Sequence, residues 1–113
     1  MLISDIIAMA RSLWREAVAE DIFTDAKAIP FVNQAVVKIR SRRSDARNDD
    51  NGNLISFTAI TATGDTFPLD EKFQLAAVYF LTAHGFGRSA DQQTLDKRFG
   101  DWMGLYEKEV MSA

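Results

Sequence analysis

The chain's only histidine, His84, sits in AAVYFLTAHGFGRSAD, between an unbroken apolar run and two glycines. A catalytic imidazole needs a nucleophile or a carboxylate within hydrogen-bond reach, and no motif supplies one here. A metal site would have to be built from carboxylates around that one imidazole, because the chain has no cysteine. His84 falls instead on a helical stripe with Phe73, Ala77 and Phe80. It therefore reads as a packing residue at a helix end, its ring nitrogens bonded locally.

The second group is KIRSRRSDAR, where Lys38, Arg40, Arg42, Arg43 and Arg47 accompany one acid, Asp45. Such a cluster can grip phosphates or an acidic partner. It equally suits the end of a solvated helix, where cations complement the dipole. No aromatic residue interleaves the arginines, so base stacking is not indicated. A helix-turn-helix would need a recognition helix soon afterwards, and turn formers follow instead. An electrostatic contact with another protein is therefore expected of Arg40, Arg42, Arg43 and Arg47, with nucleic-acid binding through residues 38–47 as the alternative. The acids of RNDD and DEK lack the alternating spacing and terminal Glu of a calcium loop. Phosphate-loop, dinucleotide and nucleophile-elbow motifs are absent. The chain is expected to be no enzyme and to carry no cofactor and no metal.

These residues must be positioned by one small domain, since 113 residues leave no room for two ordinary ones. Hydrophobic residues make up 47% and charged residues 26%, which fits a globular chain rather than a disordered one. Eight Phe, two Trp and two Tyr can fill a small core. A core of that size is marginal alone, so burial against further copies is expected. The formal charge of −3 argues against a general nucleic-acid coat. No basic region marks an export signal. The apolar run Leu75 to Leu81 falls far short of the about 20 residues a membrane span needs, so no membrane association is expected.

Periodicity gives the elements. Ile3, Ile6, Ile7, Ala10, Trp14 and Ala17 define one face of a first helix, with Ser4 as its expected N-cap. Thr24 caps a second helix with the stripe Ile29, Val32, Val36, Ile39. Pro30 inside it predicts a kink or a restart. LISFTAIT at 54–61 reads as a strand, TGDT at 63–66 as a turn and TFPL as a short return strand, giving a β-hairpin. Asp70 caps a third helix that has no polar face and is expected to end at Gly85 and Gly87. Ser89 and Gln92 have capping-box spacing for a last helix carrying Leu95, Phe99, Trp102, Tyr106 and Val110. Gly100 and Gly104 within it are expected to let another helix come close. The fold class is mainly α: a small bundle of about four helices with a β-hairpin inserted between helices 2 and 3.

The order of DIFTDAKAIPFVNQAVVKIRSRR, a β segment and TGDTFPLDEKFQLAAVYFLTAHGFGRSADQQTLDKRFGDWMGLYEKEV resembles the small head-to-tail adaptor (neck, connector) proteins of tailed bacteriophages. The likeness rests on Asn33 near the middle of a helix, on Phe67-Pro68-Leu69 after the β segment, and on Tyr79 in the apolar helix. Asp91 and the spaced aromatics Phe99 and Tyr106 complete it. It spans residues 2–110 and is one of pattern, with no invariant catalytic signature. Ser44 stands where such proteins often place a proline, and Pro30 departs from the pattern. The resemblance implies a structural virion protein of the neck, assembled in the host cytoplasm. It would form a homo-oligomeric ring, commonly of twelve copies, beneath the portal protein. That ring extends the DNA channel, binds no particular DNA sequence, and offers a surface to tail or stopper proteins. Arg40, Arg42, Arg43, Arg47, Trp14, Trp102 and Tyr106 are the residues expected to meet a neighbouring subunit or the portal.

Overall fold

The computed structural model describes residues 1–14, 23–87 and 92–113, the last stretch with side chains from residue 97 onward. It is mainly helical. The helices are α1 (Ile3–Trp14), α2 (Asp25–Arg42), the single turn α3 (Ser44–Arg47), α4 (Gln74–Gly87) and α5 (Gln92–Ser112), with a 3-10 turn at Glu71–Phe73 leading into α4. Helix α4 is the hub and packs against α1, α2 and α5. Ala76, Ala77, Val78, Phe80, Leu81 and Ala83 along it are fully buried, which is why its sequence shows no polar face. Each large apolar side chain removed from water in this way contributes about 1.5–3 kcal/mol. The one buried polar residue on α4, Thr82, is satisfied within the helix, its hydroxyl donating to the Val78 carbonyl at 2.7 Å.

The sequence periodicity maps onto this packing. Ile3, Ile6, Ile7, Ala10 and Trp14 are the buried residues of α1; Ala17 lies outside the described residues. Thr24 caps α2, its hydroxyl accepting from the Lys27 amide at 3.3 Å. Asp70 caps the turn into α4 by accepting from the Lys72 amide at 3.1 Å. Ser89 lies outside the described residues, as does the start of the stretch it was expected to cap.

Several expectations are corrected. Helix α2 does not restart at Pro30 but runs through it as one helix. Pro30 is exposed, so the carbonyl it leaves without an amide can turn to water. Ser4 is not the N-cap of α1, which begins at Ile3. Loop carbonyls take over that role: the Ile3 and Ser4 amides donate to the carbonyls of Asp65 and Thr63, each at 2.9 Å. Gly85 does not end α4, because the helix continues through Gly87. Among the described residues, nothing lies within 4 Å of where a Cβ would stand at Gly100 or Gly104, so the expected close approach of another helix is not seen there.

The β-hairpin between the second and third helices is also absent. Among the described residues only single bridges occur, Leu2 with Thr66 and Asn48 with Leu54. The turn after the β-rich segment forms, with the Asp65 amide donating to the Ala62 carbonyl at 3.1 Å. Its two arms pair elsewhere. The return arm lies against the chain's first residues, the Phe67 amide donating to the Met1 carbonyl at 2.9 Å. The 54–61 arm is held by a side chain of α2. The Asn33 carboxamide donates to the Ile60 carbonyl at 2.9 Å and accepts from the Ile60 amide at 2.8 Å. One amide thus does for Ile60 what a neighbouring strand would do. Asn33→Ala is expected to cost about 2 kcal/mol in a urea titration, because two largely buried backbone groups lose their partners.

Candidate functional site

The four arginines of the basic segment come together at the end of α2, but the fold itself employs them. Arg40 donates to the Ile55 carbonyl and lies over the Phe57 ring at 5.1 Å. Arg47 reaches back to the carbonyls of Arg40 and Ser41 at 3.1 and 3.4 Å. Between them these two fix where the 54–61 arm leaves the helical body. Arg42 pairs with Glu107 of α5 at 2.6 Å, both side chains about half exposed. Arg43 is the most enclosed of the set whose ion pairs are resolved. It donates to the Val110 carbonyl at 2.6 Å and forks onto both oxygens of Asp45 at 3.0 and 2.9 Å. It also lies 5.4 Å over the Phe73 ring.

Asp45, the lone acid in this basic run, is the meeting point. Lys72 reaches it at 2.6 Å from the turn before α4. The bond from Lys72 first, and that from Arg43 after it, hold the Asp45 carboxyl below the usual carboxylate range. Sequence reasoning flagged the arginines and passed over this acid. The signal available was its position: one carboxylate among five cations is placed to be shared.

The aromatic residues expected at an interface divide. Trp14 is buried, its indole N–H donating to the Thr82 carbonyl at 2.9 Å. Tyr106 is buried too, packed edge-on against Phe80 at 5.2 Å. Both serve the subunit's own core rather than its surface. Trp102 is half-buried and lies 5.5 Å from Tyr79. His84 sits within an aromatic column, its ring 4.9 Å from Phe31, 4.3 Å from Phe80 and 5.2 Å from Phe99. Flat rings on three sides make it a packing element where α4 meets α2 and α5. Among the described residues, no cluster of three His or acidic side chains could hold a metal ion.

The Tyr106 hydroxyl has no hydrogen-bond partner among the described residues. Burial first, and the Glu107 charge second, push its pKa from 10.0 up to about 12. Below pH 10 the folded and unfolded chains both hold the proton. Between pH 10 and about 12 the unfolded chain releases it first, so stability falls as pH rises through that window. Tyr106→Phe is expected to remove this component of the alkaline fall. It should also leave the neutral-pH stability unchanged or up to about 1 kcal/mol higher, since an unsatisfied hydroxyl disappears without a change of shape. Thermal melts of both proteins across pH 8–12 measure this.

Among the described residues, large apolar side chains face water at several places, Leu105 and Met111 of α5 among them. Val37, Leu54 and Ile55 are 56%, 73% and 44% exposed on one side, and Met9, Leu13 and Leu75 are 39%, 36% and 37% exposed on another. Sequence reasoning did not single these out, because each reads as one more apolar residue in an amphipathic or β-rich stretch. Among the described residues, no helix is long and apolar enough to cross a membrane. No protein-family model, curated protein or solved structure matches this chain.

Proposed function

We propose that this chain is a structural virion protein of a tailed bacteriophage: a head-to-tail adaptor that assembles as a ring beneath the portal. The ring extends the DNA channel and offers a docking surface to tail or stopper proteins. One observation carries the reading. The side chains with chemical potential (His84 and most of the arginine cluster) are absorbed into the fold, while large apolar residues stand outward at several places. A subunit built this way is suited to contact with other proteins. The mainly helical architecture is compatible with this reading, although the β-hairpin that the resemblance calls for does not form. Net negative charge suits a passage that DNA must traverse without being held.

Electron microscopy of a cognate portal mixed with this protein tests the reading. Additional ring density beneath the portal is expected, and its absence under saturating conditions overturns the portal-binding claim. The rival reading is a small nucleic-acid-binding regulator acting through residues 38–47. It predicts sub-micromolar duplex affinity with a steep salt dependence; weak, shallow binding is expected instead.

A further inference from the structure

We infer that the outward face of α5 is a contact surface for a second copy of this chain, the two helices packing antiparallel about a two-fold axis beside Gly104. The contact goes beyond the ring reading and does not rest on it, because an isologous pair closes on two copies and builds no ring.

Helix α5 packs on α4, buries Tyr106 and Val110, and keeps its opposite side in water. Gly100, Gly104 and Lys108 stand on that opposite side, and Leu105 and Met111 at its margins are 42% and 64% exposed. Positions 100, 104, 108 and 111 recur at steps of four and three, which places them along one face. Glycine inside a helix is destabilising relative to alanine. Among the described residues nothing requires either glycine: neither has a positive φ, and the space beside each is open. What they provide is a flat patch where a second helix backbone can come close, with apolar side chains on both flanks to close over it.

Charge selects a second copy as the occupant and fixes its direction and register. Asp101 and Lys108 are both exposed on this face, and among the described residues the side chain of neither has an ion-pair or hydrogen-bond partner. With the two-fold axis between positions 104 and 105 of antiparallel helices, Asp101 of each copy faces Lys108 of the other. Gly104 then lies against Gly104, Leu105 beside Leu105 at one margin, and Met111 over Gly100 at the other. Arg98, whose guanidinium lies 5.4 Å over the Phe86 ring, comes beside Glu109 at the rim. Lys97 meets Ser112 and is the cation left without a counter-charge. Glu107 on the flank is already paired with Arg42 and adds nothing to the match. Other arrangements fail on the same residues. Parallel helices would set Asp101 against Asp101 and Lys108 against Lys108, and the antiparallel register one turn away would set Lys97 against Lys108. A face complementary to itself in one register is what an isologous contact requires.

One helix pair is a small interface, so a dissociation constant on the order of 100 μM is expected. Sedimentation equilibrium of the intact chain should show monomer passing to dimer in that range. Gly104→Leu should abolish the dimer. The same substitution should raise the melting temperature in dilute solution, since leucine is the better helix former and the space is open, so lost association is not lost fold. Asp101→Lys and Lys108→Asp should each weaken the dimer roughly tenfold. The chain carrying both keeps the native net charge, restores both cross pairs and should recover the native affinity. A monomer at every concentration up to about 1 mM overturns the proposal. So does an association that Gly104→Leu leaves unchanged, or one that the doubly substituted chain fails to recover. Ring density at the portal without a dimer removes this contact and leaves the adaptor reading; a dimer without ring density does the reverse.

Discussion

Gly85→Ala is expected to lower the unfolding free energy by about 3 kcal/mol, although local propensity argues the opposite sign. Gly85 lies inside α4, where alanine is better than glycine by about 1 kcal/mol. The packing outweighs this. A Cβ at position 85 would stand 2.2 Å from Cε2, 2.3 Å from Nε1 and 2.4 Å from Cζ2 of Trp14. The indole is fixed there by its 2.9 Å bond to the Thr82 carbonyl and by the Phe23 ring at 5.1 Å. Moving it breaks that bond and opens the junction of α1 with α4. Denaturant titration of Gly85→Ala, Trp14→Leu and the double variant measures the coupling. With the indole gone, Gly85→Ala should cost nothing, giving a coupling energy of about 2–3 kcal/mol. Equal costs of Gly85→Ala in both backgrounds would show that the indole is not what the glycine makes room for.

This junction also shows where sequence reading stops. A glycine after an apolar run is the usual mark of a helix end, and Gly85 was placed there for that reason. Its actual partner is Trp14, whose indole bonds a residue 68 positions away in sequence. No local pattern encodes that distance. The helices themselves were legible, because a stripe such as Ile3, Ile6, Ile7, Ala10, Trp14 repeats with the period of the structure it forms. The hairpin was misread for a related reason. LISFTAIT reports a preference for extended backbone, but β-branched residues do not say what will pair with them, and no strand forms there. Asn33 and the chain's first residues supplied the partners instead. The candidate interface was legible only in part. Exposed apolar residues such as Val37 and Leu54 look like core residues in a sequence, and buried aromatics such as Trp14 and Tyr106 look like anchors.

Two adjacent arginines carry the remaining large effect, and the difference between them bears on what the basic segment is for. Arg43→Ala is expected to cost about 3 kcal/mol and Arg42→Ala less than about 1 kcal/mol. Arg42 makes a half-exposed ion pair with Glu107 that water and salt screen. Arg43 spans three elements: it satisfies the Val110 carbonyl near the end of α5, grips both oxygens of Asp45 in α3, and covers the Phe73 ring ahead of α4. Its side chain is only 21% exposed. Removing it leaves a carbonyl and a carboxylate short of donors, and frees the last turn of α5 from α2. Arg43→Lys should recover less than half of the loss, since an ammonium cannot fork onto Asp45 while also reaching Val110. Asp45→Asn should then be worth more in the native background than in Arg43→Ala, where its principal fork is already gone. If Arg43→Ala left stability unchanged and abolished a salt-sensitive affinity for duplex DNA, the segment would be a phosphate grip and not a staple. Thermal melts and a salt titration on the same protein preparation decide between the two, because a staple moves the first measurement and a phosphate contact moves the second.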